Sequence, residues 1–299
     1  MDHDPGRDWQ GGRLDLDAYL ARIGFEGERT PTIAALRALQ RGHVTTFPFE
    51  NLEIMLGRPV VLDMDHLQDK FLRGRRGGYC FEHAKLFAAV LERLGFSFRA
   101  LIGRVTMGAD KLRPATHAIL LVTTDDGGER ARWVCDVGFG GGPLEPIPFV
   151  DGTEVFQDGW GFRLEQLTNA AEGLPGVQEW GLSQREPDGW LQRHNFVVAP
   201  SYPLDFEVLS HFVSTHAHSP FTTRPYTQRF TGDRHHQLDG TTLTTTTPDG
   251  QRTQREVAPE ELPDVLRDTF DIVLDPDDTD RLVSRAPRVQ GLASANLDV

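Results

Sequence analysis

Arg75-Arg76-Gly77-Gly78-Tyr79-Cys80-Phe81-Glu82-His83 is the stretch around which the chain is organised. Two adjacent glycines permit backbone conformations and close approaches that a side chain forbids, and they end just before a cysteine. From Phe81 to Leu94 there is no Gly or Pro. Ala84, Phe87, Leu91 and Leu94 recur at helical spacing, and Gly95 supplies a C-terminal stop. The pattern predicts a helix opened by Cys80. A thiol in that position sits among unpaired backbone N–H groups at the positive end of the macrodipole, and both favour a thiolate. Cys80 is therefore a candidate nucleophile, set against the plainer reading of a small buried apolar residue. A histidine and a carboxylate within reach would decide between the two.

The 299 residues suffice for a large core and for two or three lobes. Lys and Arg number 31 and Asp and Glu 44, a net charge of −13. That balance argues against wrapping nucleic acid or lying on anionic lipid, since both need a basic face. The longest apolar runs, such as Ala118 to Val122, fall far short of a membrane span. The start Met1-Asp2-His3-Asp4-Pro5-Gly6 lacks signal-peptide character, so a cytoplasmic location is expected. Two cysteines, Cys80 and Cys135, make no disulfide framework. Structural zinc takes about four ligands, and Cys80-x-x-His83 supplies only two, so no metal is expected and His83 reads as a surface or boundary residue of its helix.

Residues 1 to about 12 are polar and glycine-rich and are expected to fray. Helices are predicted at Leu14 to Ile23, after Thr30 as N-cap with Pro31 at the first helical position, and at Asp65 to Arg73. The first 97 residues thus form a helical domain. From Phe98 the period changes to short β-prone runs separated by Asp, Gly and Pro, which gives residues 98–202 a sheet or barrel. A helix over Pro203 to Thr215, a strand pair between Gln228 and Gln254 and a closing helix over Pro259 to Phe270 make an α/β third lobe, 203–283. Residues 284–299 lose pattern and read as a disordered tail. The fold class is α+β.

The hairpin Thr116-His117-Ala118-Ile119-Leu120-Leu121-Val122, turn, Ala131-Arg132-Trp133-Val134-Cys135-Asp136-Val137 carries the missing partners. With Asp126-Gly127 as turn centre, a strong hairpin signal, His117 falls directly opposite Asp136 on one face. A one-residue slip would part them. A histidine that takes the thiol proton, steadied by a carboxylate, is what a nucleophilic cysteine needs. The competing reading is a His and Asp pair that merely satisfies polar groups in a sheet. Cys135 points to the other face by strand parity and reads as a packed core thiol.

Arg-Gly-Gly-Tyr-Cys at 76–80, Pro-Phe-Glu-Asn-Leu at 48–52, Thr-His at 116–117 and Asp-Val-Gly-Phe-Gly at 136–140 together resemble the arylamine N-acetyltransferases, in order and in spacing. The resemblance runs from about Leu14 to Phe270. It implies a helical bundle, a central β-barrel and a C-terminal α/β lid, with Cys80, His117 and Asp136 as a cysteine-protease-like triad at the junction of the first two. It further implies acetyl-CoA as acyl donor, a Cys80 thioester, and an arylamine, arylhydrazine or N-hydroxyarylamine as acceptor. By the same resemblance Phe49, Val105, Phe139 and Phe221 lie at the acceptor pocket and oxyanion side, Ser214, Thr215, Ser219 and Arg224 near the CoA phosphates, and Glu50 with Arg76 brace the active-site loop. Arg229 is a further cation for those phosphates. One departure is Ala84, where the family usually has asparagine. The related amide synthases, a cysteine hydrolase or transglutaminase-like enzyme, and a silent binding protein are the alternatives that the residues leave open.

Overall fold

The computed structural model describes residues 8–167 and 178–293. The first lobe holds α1 (Leu16–Arg22), α2 (Ile33–Thr46), a two-residue strand β1 (Phe49–Glu50), α3 (Leu52–Met55), α4 (Met64–Gln68) with a π-helical turn over Asp69–Arg73, and α5 (Cys80–Arg93). Helix α2 begins two residues later than the sequence suggests. Thr32 is the N-cap, its hydroxyl accepting from Ala35 N at 3.2 Å. The carboxylate of Asp126, from another lobe, takes the Ile33 N–H at 3.2 Å, so tertiary packing selects which threonine caps. Residues 8–12 are not frayed: Trp9 is buried, and Gly11–Arg13 form a 3₁₀ turn whose Gly11 N–H donates to Glu92 at 2.7 Å. Residues 1–7 lie outside the described residues.

The second lobe is one antiparallel sheet of β2 (Ser97–Val105), β3 (Ala115–Asp126), β4 (Glu129–Cys135), β5 (Ile147–Pro148), β6 (Thr153–Gln157), β7 (Trp160–Leu167), β8 (Glu179–Glu186) and β9 (Gly189–Val197). Its order is β5-β4-β3-β2-β9-β8-β7-β6. The two edge strands follow one another in sequence and touch, so the sheet curls into a nearly closed barrel. The third part comprises α6 (Pro203–Thr215), β10 (Tyr226–Thr231), β11 (Arg234–Asp239), β12 (Thr242–Thr246), β13 (Arg252–Glu256), α7 (Leu262–Phe270) and α8 (Pro276–Ala293). Four strands stand where a strand pair was expected. Helix α8 continues past residue 283 to Ala293, where a patternless tail was expected; residues 294–299 lie outside the described residues.

The third part is not a detached lid. Strand β1 of the first lobe adds to the edge of its sheet, Phe49 opposite Gln228 and Glu50 opposite Thr227. One core joins the helices to the barrel and to α6, including Leu36, Phe87, Leu120 and Phe206. A second fills the barrel around Leu101, Phe162 and Trp180, and a third packs Leu52 and Met55 of α3 under Leu238, Leu266 and Phe270.

The β3–β4 register differs from the sequence reading by two. Leu120 faces Cys135 and Asp126 faces Glu129, so the turn centre is Gly127-Gly128, at φ +69° and +93°. Two consecutive left-handed residues are what the tightest hairpin turn requires, and only the glycine pair meets that without strain. A shift of two preserves the face of every side chain. His117 and Asp136 therefore remain on one side, as diagonal rather than direct neighbours.

The glycine pair before Cys80 serves close approach, not left-handed geometry. Gly78 N donates to Pro48 O and Glu50 N to Gly78 O, at 3.3 and 2.8 Å, joining this loop to β1. A Cβ on Gly77 would lie 1.7 Å from Pro48 O. Gly77→Ala is expected to lower the urea unfolding midpoint by an amount equal to about 3 kcal/mol or more, the upper range for overpacking. Gly12→Ala, with open space around its Cα, is expected to leave the midpoint unchanged.

Candidate active site

Helix α5 is buried on all sides from Cys80 to Leu91. Its N-terminal turn is closed by Glu82, which accepts from Tyr79 N at 3.0 Å. The same carboxylate holds Lys70 Nζ at 2.7 Å, Lys70 reaches Glu50 at 3.5 Å, and Arg76 binds Glu50 and Glu53 at 2.9 and 3.0 Å. Glu50 and Arg76 thus meet as expected, within a larger buried set of charges. Burial alone would raise the Glu50 pKa, but Arg76 and Lys70 hold it below its ordinary value.

His83 is buried rather than at a surface or boundary. Its Nε2 meets Pro48 O at 3.2 Å and its Nδ1 meets His43 Nε2 at 2.9 Å, while His43 Nδ1 meets Tyr19 Oη at 2.9 Å. A carbonyl only accepts, so Nε2 of His83 carries the proton and the direction of the row follows. Burial pushes the His83 pKa down to about 4. Helical spacing implies a solvent face, and from Cys80 to Leu91 this helix has none. Ala84, also fully buried, belongs to this core.

Cys80 is 4 % exposed and its Sγ lies 3.5 Å from Thr116 O, beside the start of β3. The His117 imidazole lies near enough to that sulfur for its pKa to be raised by it. His117 Nε2 is 3.0 Å from both oxygens of Asp136, which leaves Nδ1 for the thiol. Gly138 makes the meeting possible: a Cβ there would stand 2.8 Å from Cys80 Cα. The segment that follows Asp136 therefore lies directly on the start of α5. Burial opposes a charged His117, but the charge and hydrogen bonds of Asp136, with the neighbouring sulfur, outweigh it and hold its pKa up at about 10. Burial would raise the Asp136 pKa; the two imidazoles around it keep it well below the carboxylate range.

The second imidazole is His194 on β9, which the sequence reading did not find. Its Nε2 donates to Asp136 Oδ2 at 2.9 Å, and its Nδ1 has no hydrogen-bond partner. Burial holds its pKa down. Val105, expected near the oxyanion side, is the strand partner of His194. Nothing local announces this histidine, because 58 residues of chain separate it from Asp136. His117, Asp136 and His194 are also the one group among the described residues with metal-ligand spacing; their ligand atoms are occupied by the hydrogen bonds just given. Cys135 is a buried core thiol, its pKa raised by burial.

Phe139 stands edge-on to His117, with ring centroids 5.2 Å apart. Phe49 and Phe221 meet at 5.6 Å, and both pack on Tyr226. Asn51 ties that aromatic group together, donating to the carbonyls of Phe221 and Arg224 and accepting from Tyr226 N at 2.8–2.9 Å. The four residues expected near CoA phosphates each have partners within the chain. The hydroxyls of Ser214 and Thr215 donate to His211 O, Ser219 is buried and caps a 3₁₀ turn, and Arg224 is paired with Asp239. Arg229 lies with Arg22 and Arg75 instead, and burial followed by these two cations lowers its pKa.

The sequence model of the N-acetyltransferase family matches residues 32–279. An arylamine N-acetyltransferase of Mycolicibacterium smegmatis is 36% identical over 234 residues, 77% of this chain and 82% of that protein. The chain belongs to the arylamine N-acetyltransferase family. It is an acyltransferase. The crystal structure of the Nocardia farcinica arylamine N-acetyltransferase has a TM-score of 0.89 at 56% identity, covering 95% of this chain and 98% of that one. The Mycobacterium marinum arylamine N-acetyltransferase in complex with CoA has a TM-score of 0.83 at 32% identity, covering 92% and 99%.

The raised pKa of His117 has a consequence for stability in this acyltransferase. A group raised on folding contributes fully below its unfolded value, about 6.5, and that contribution fades as pH rises through about 10. The urea midpoint is expected to fall more steeply between pH 7 and pH 10 in the wild type than in Asp136→Asn, measured by tryptophan fluorescence.

Proposed function

We propose that this enzyme transfers an acetyl group from acetyl-CoA to an aromatic amine, hydrazine or N-hydroxyarylamine by way of a thioester on Cys80. The observation that carries the reading is the His117 imidazole held at 3.0 Å by Asp136, on the strand whose Thr116 carbonyl meets the Cys80 sulfur at 3.5 Å. In this reading Cys80, His117 and Asp136 act as the triad of a cysteine protease does in passing its acyl group to water. Here the first acceptor is the enzyme and the second an amine. The M. marinum relative that binds CoA supports acetyl-CoA as donor.

In the first half-reaction the Cys80 thiolate attacks the thioester carbonyl, with its proton resting on His117. The tetrahedral oxyanion lies where the first backbone N–H groups of α5 point, Cys80 N among them. Collapse breaks the bond to CoA, and His117 returns its proton to the departing sulfur. In the second half the amine attacks the acetyl-enzyme, neutral His117 takes the amine proton, and Cys80 leaves as thiolate. A thioester is already an activated donor, so no metal is required by this chemistry. Phe49, Phe139 and Phe221 wall the acceptor in this reading, with Val105 on the oxyanion side. Ser214, Thr215, Ser219 and Arg224 serve the donor's phosphates, Arg224 with its charge shared by Asp239. No helix among the described residues is long and apolar enough to cross a membrane; action in the cytoplasm, away from nucleic acid and lipid, completes the reading.

Incubation with acetyl-CoA alone is expected to add one acetyl group by intact mass, removable by 4-methylaniline, with no adduct on Cys80→Ser. His117→Ala is expected to slow acetylation by about 10²–10⁴, the usual worth of general acid–base help. A folded wild type that takes no transferable acetyl group would reject the proposal.

A further inference from the structure

We infer that Arg22, Arg75 and Arg229 form a binding site for a phosphate dianion, free or as a monoester, on the side of the C-terminal sheet that faces away from the barrel. The site stands apart from the sulfur with its partners and from the four residues proposed for the donor's phosphates.

Strand parity fixes the side. Gln228 donates to Phe139 O at 3.2 Å and the Phe230 ring packs on Trp160 at 5.4 Å, so both point from β10 toward the barrel. Arg229 lies between them and points the other way. Thr227 shares that face, and its strand partner Leu238 is packed with α3 and α7. The register brings the other two arginines close. Phe49 pairs with Gln228, which sets the preceding residue, Pro48, beside Arg229. Pro48 O lies against Gly77, just after Arg75 and Arg76, and the Arg22 guanidinium carbon stands 5.9 Å from the ring of Phe47. Asp271, the C-cap of α7, meets Arg75 through Oδ1 and Arg22 through Oδ2, the latter at 3.4 Å. Helix α7 itself packs on β10.

Three cations thus share one carboxylate, and the third is left over. Each Asp271 oxygen already faces an arginine. The Arg229 Nε is buried with no hydrogen-bond partner, as is the Thr227 hydroxyl on the same face. Burial and the charges of Arg22 and Arg75 lower the Arg229 pKa, and no carboxylate among the described residues offsets them. An anion would relieve such a cation, whose burial is otherwise costly. Its strand partner His236 is occupied by the hydroxyls of Thr231 and Thr245, at 2.9 Å each. At the following turn Asp233 and Arg234 pair with each other at 3.8 Å. In a chain of net charge −13, three positive charges therefore stand against one negative. The surplus of two matches one phosphate dianion, and guanidinium forks suit its oxygens. The Arg75 side chain is 55 % exposed and that of Arg22 28 %, so the site opens to solvent and a monoester can enter with its organic part outside. A ligand held there ties Arg75, and with it the loop that leads to Cys80, to β10.

The test titrates the full-length protein with inorganic phosphate and with phenyl phosphate by calorimetry, at about pH 8, above the second phosphate pKa of about 6. Nitrate at equal ionic strength is the monoanion control. One saturable site per chain is expected for at least one of the two phosphates, and none for nitrate. Tighter binding of phenyl phosphate assigns the site to a monoester and tighter binding of inorganic phosphate to the free ion; either supports the inference. Arg229→Gln is expected to weaken binding by about tenfold to a hundredfold, the range one charge-assisted hydrogen bond commands, and Arg229→Lys to restore part of it. Thermal unfolding is the second readout. The better of the two ligands, at about ten times its Kd, is expected to raise the wild-type Tm by about 3 °C more than that of Arg229→Gln; the general salting effect of phosphate is common to both proteins and cancels. No saturable binding of either phosphate, or an affinity that survives Arg229→Gln, overturns the inference. Should Arg229→Gln not fold, the more exposed Arg75→Gln carries the test: a loss of about threefold or more, the lower end of what a charged partner contributes, supports it, and an unchanged Kd overturns it. A last titration into protein saturated with CoA separates this site from the donor's. An unchanged Kd is expected, and displacement by CoA assigns the three arginines to the donor and overturns the separate site.

Discussion

Two places where main chain lies on main chain, with no space for a side chain between, fix the Cys80 sulfur. Gly77 lies against Pro48 O on one side of the cysteine turn, and Gly138 lies against Cys80 Cα on the other. The first couples the helix to β1 and so to the C-terminal sheet. The second couples it to the end of β4 and so to the barrel. The turn that both contacts define is then held from beneath by Glu82, Lys70, Glu50 and Arg76, charges whose desolvation is tolerable only because each has a partner. All three parts of the chain converge on the few atoms around Cys80.

The buried histidines show how finely local charge sorts otherwise similar rings. His83 and His235 are pushed down to about 4 and about 3 by burial. His117 is equally enclosed but is raised, because a carboxylate faces it at 3.0 Å. His194 shares that carboxylate and is nevertheless lowered, with the charges of His117 and Arg193 working against it after burial. One Asp136 supports one imidazolium. His194 accordingly acts as a neutral donor that orients the carboxylate, and the proton stays on the ring that faces the sulfur.

Much of this was readable in the chain. The run from Phe81 to Leu94 announced the cysteine helix to within one residue, and Pro203 to Thr215 matched α6 at both ends. The hairpin placed His117 and Asp136 on one face even though its register was off by two, because face depends only on parity and the glycine pair took the turn. What stayed hidden depends on contacts between distant segments. His194 and Arg193 reach the site from β9, and a bulge, which has no sequence signature here, turns them both inward. His83 was misread because helical periodicity reports an apolar stripe and cannot announce that neighbours cover the remaining faces. β1 was invisible as a strand, being two residues long, and its pairing with β10 spans some 178 residues of chain.

That last pairing sets the order in which the molecule becomes competent. His117 and Asp136 come together by closing a short hairpin, a fast and local event. The turn bearing Cys80 leans on β1, and β1 has no sheet to join until Tyr226–Thr231 has been made and folded. On the ribosome the sulfur therefore waits for more than half of the remaining chain. Any shorter nascent chain leaves β1 without its partner strand, and the Cys80 turn without that support.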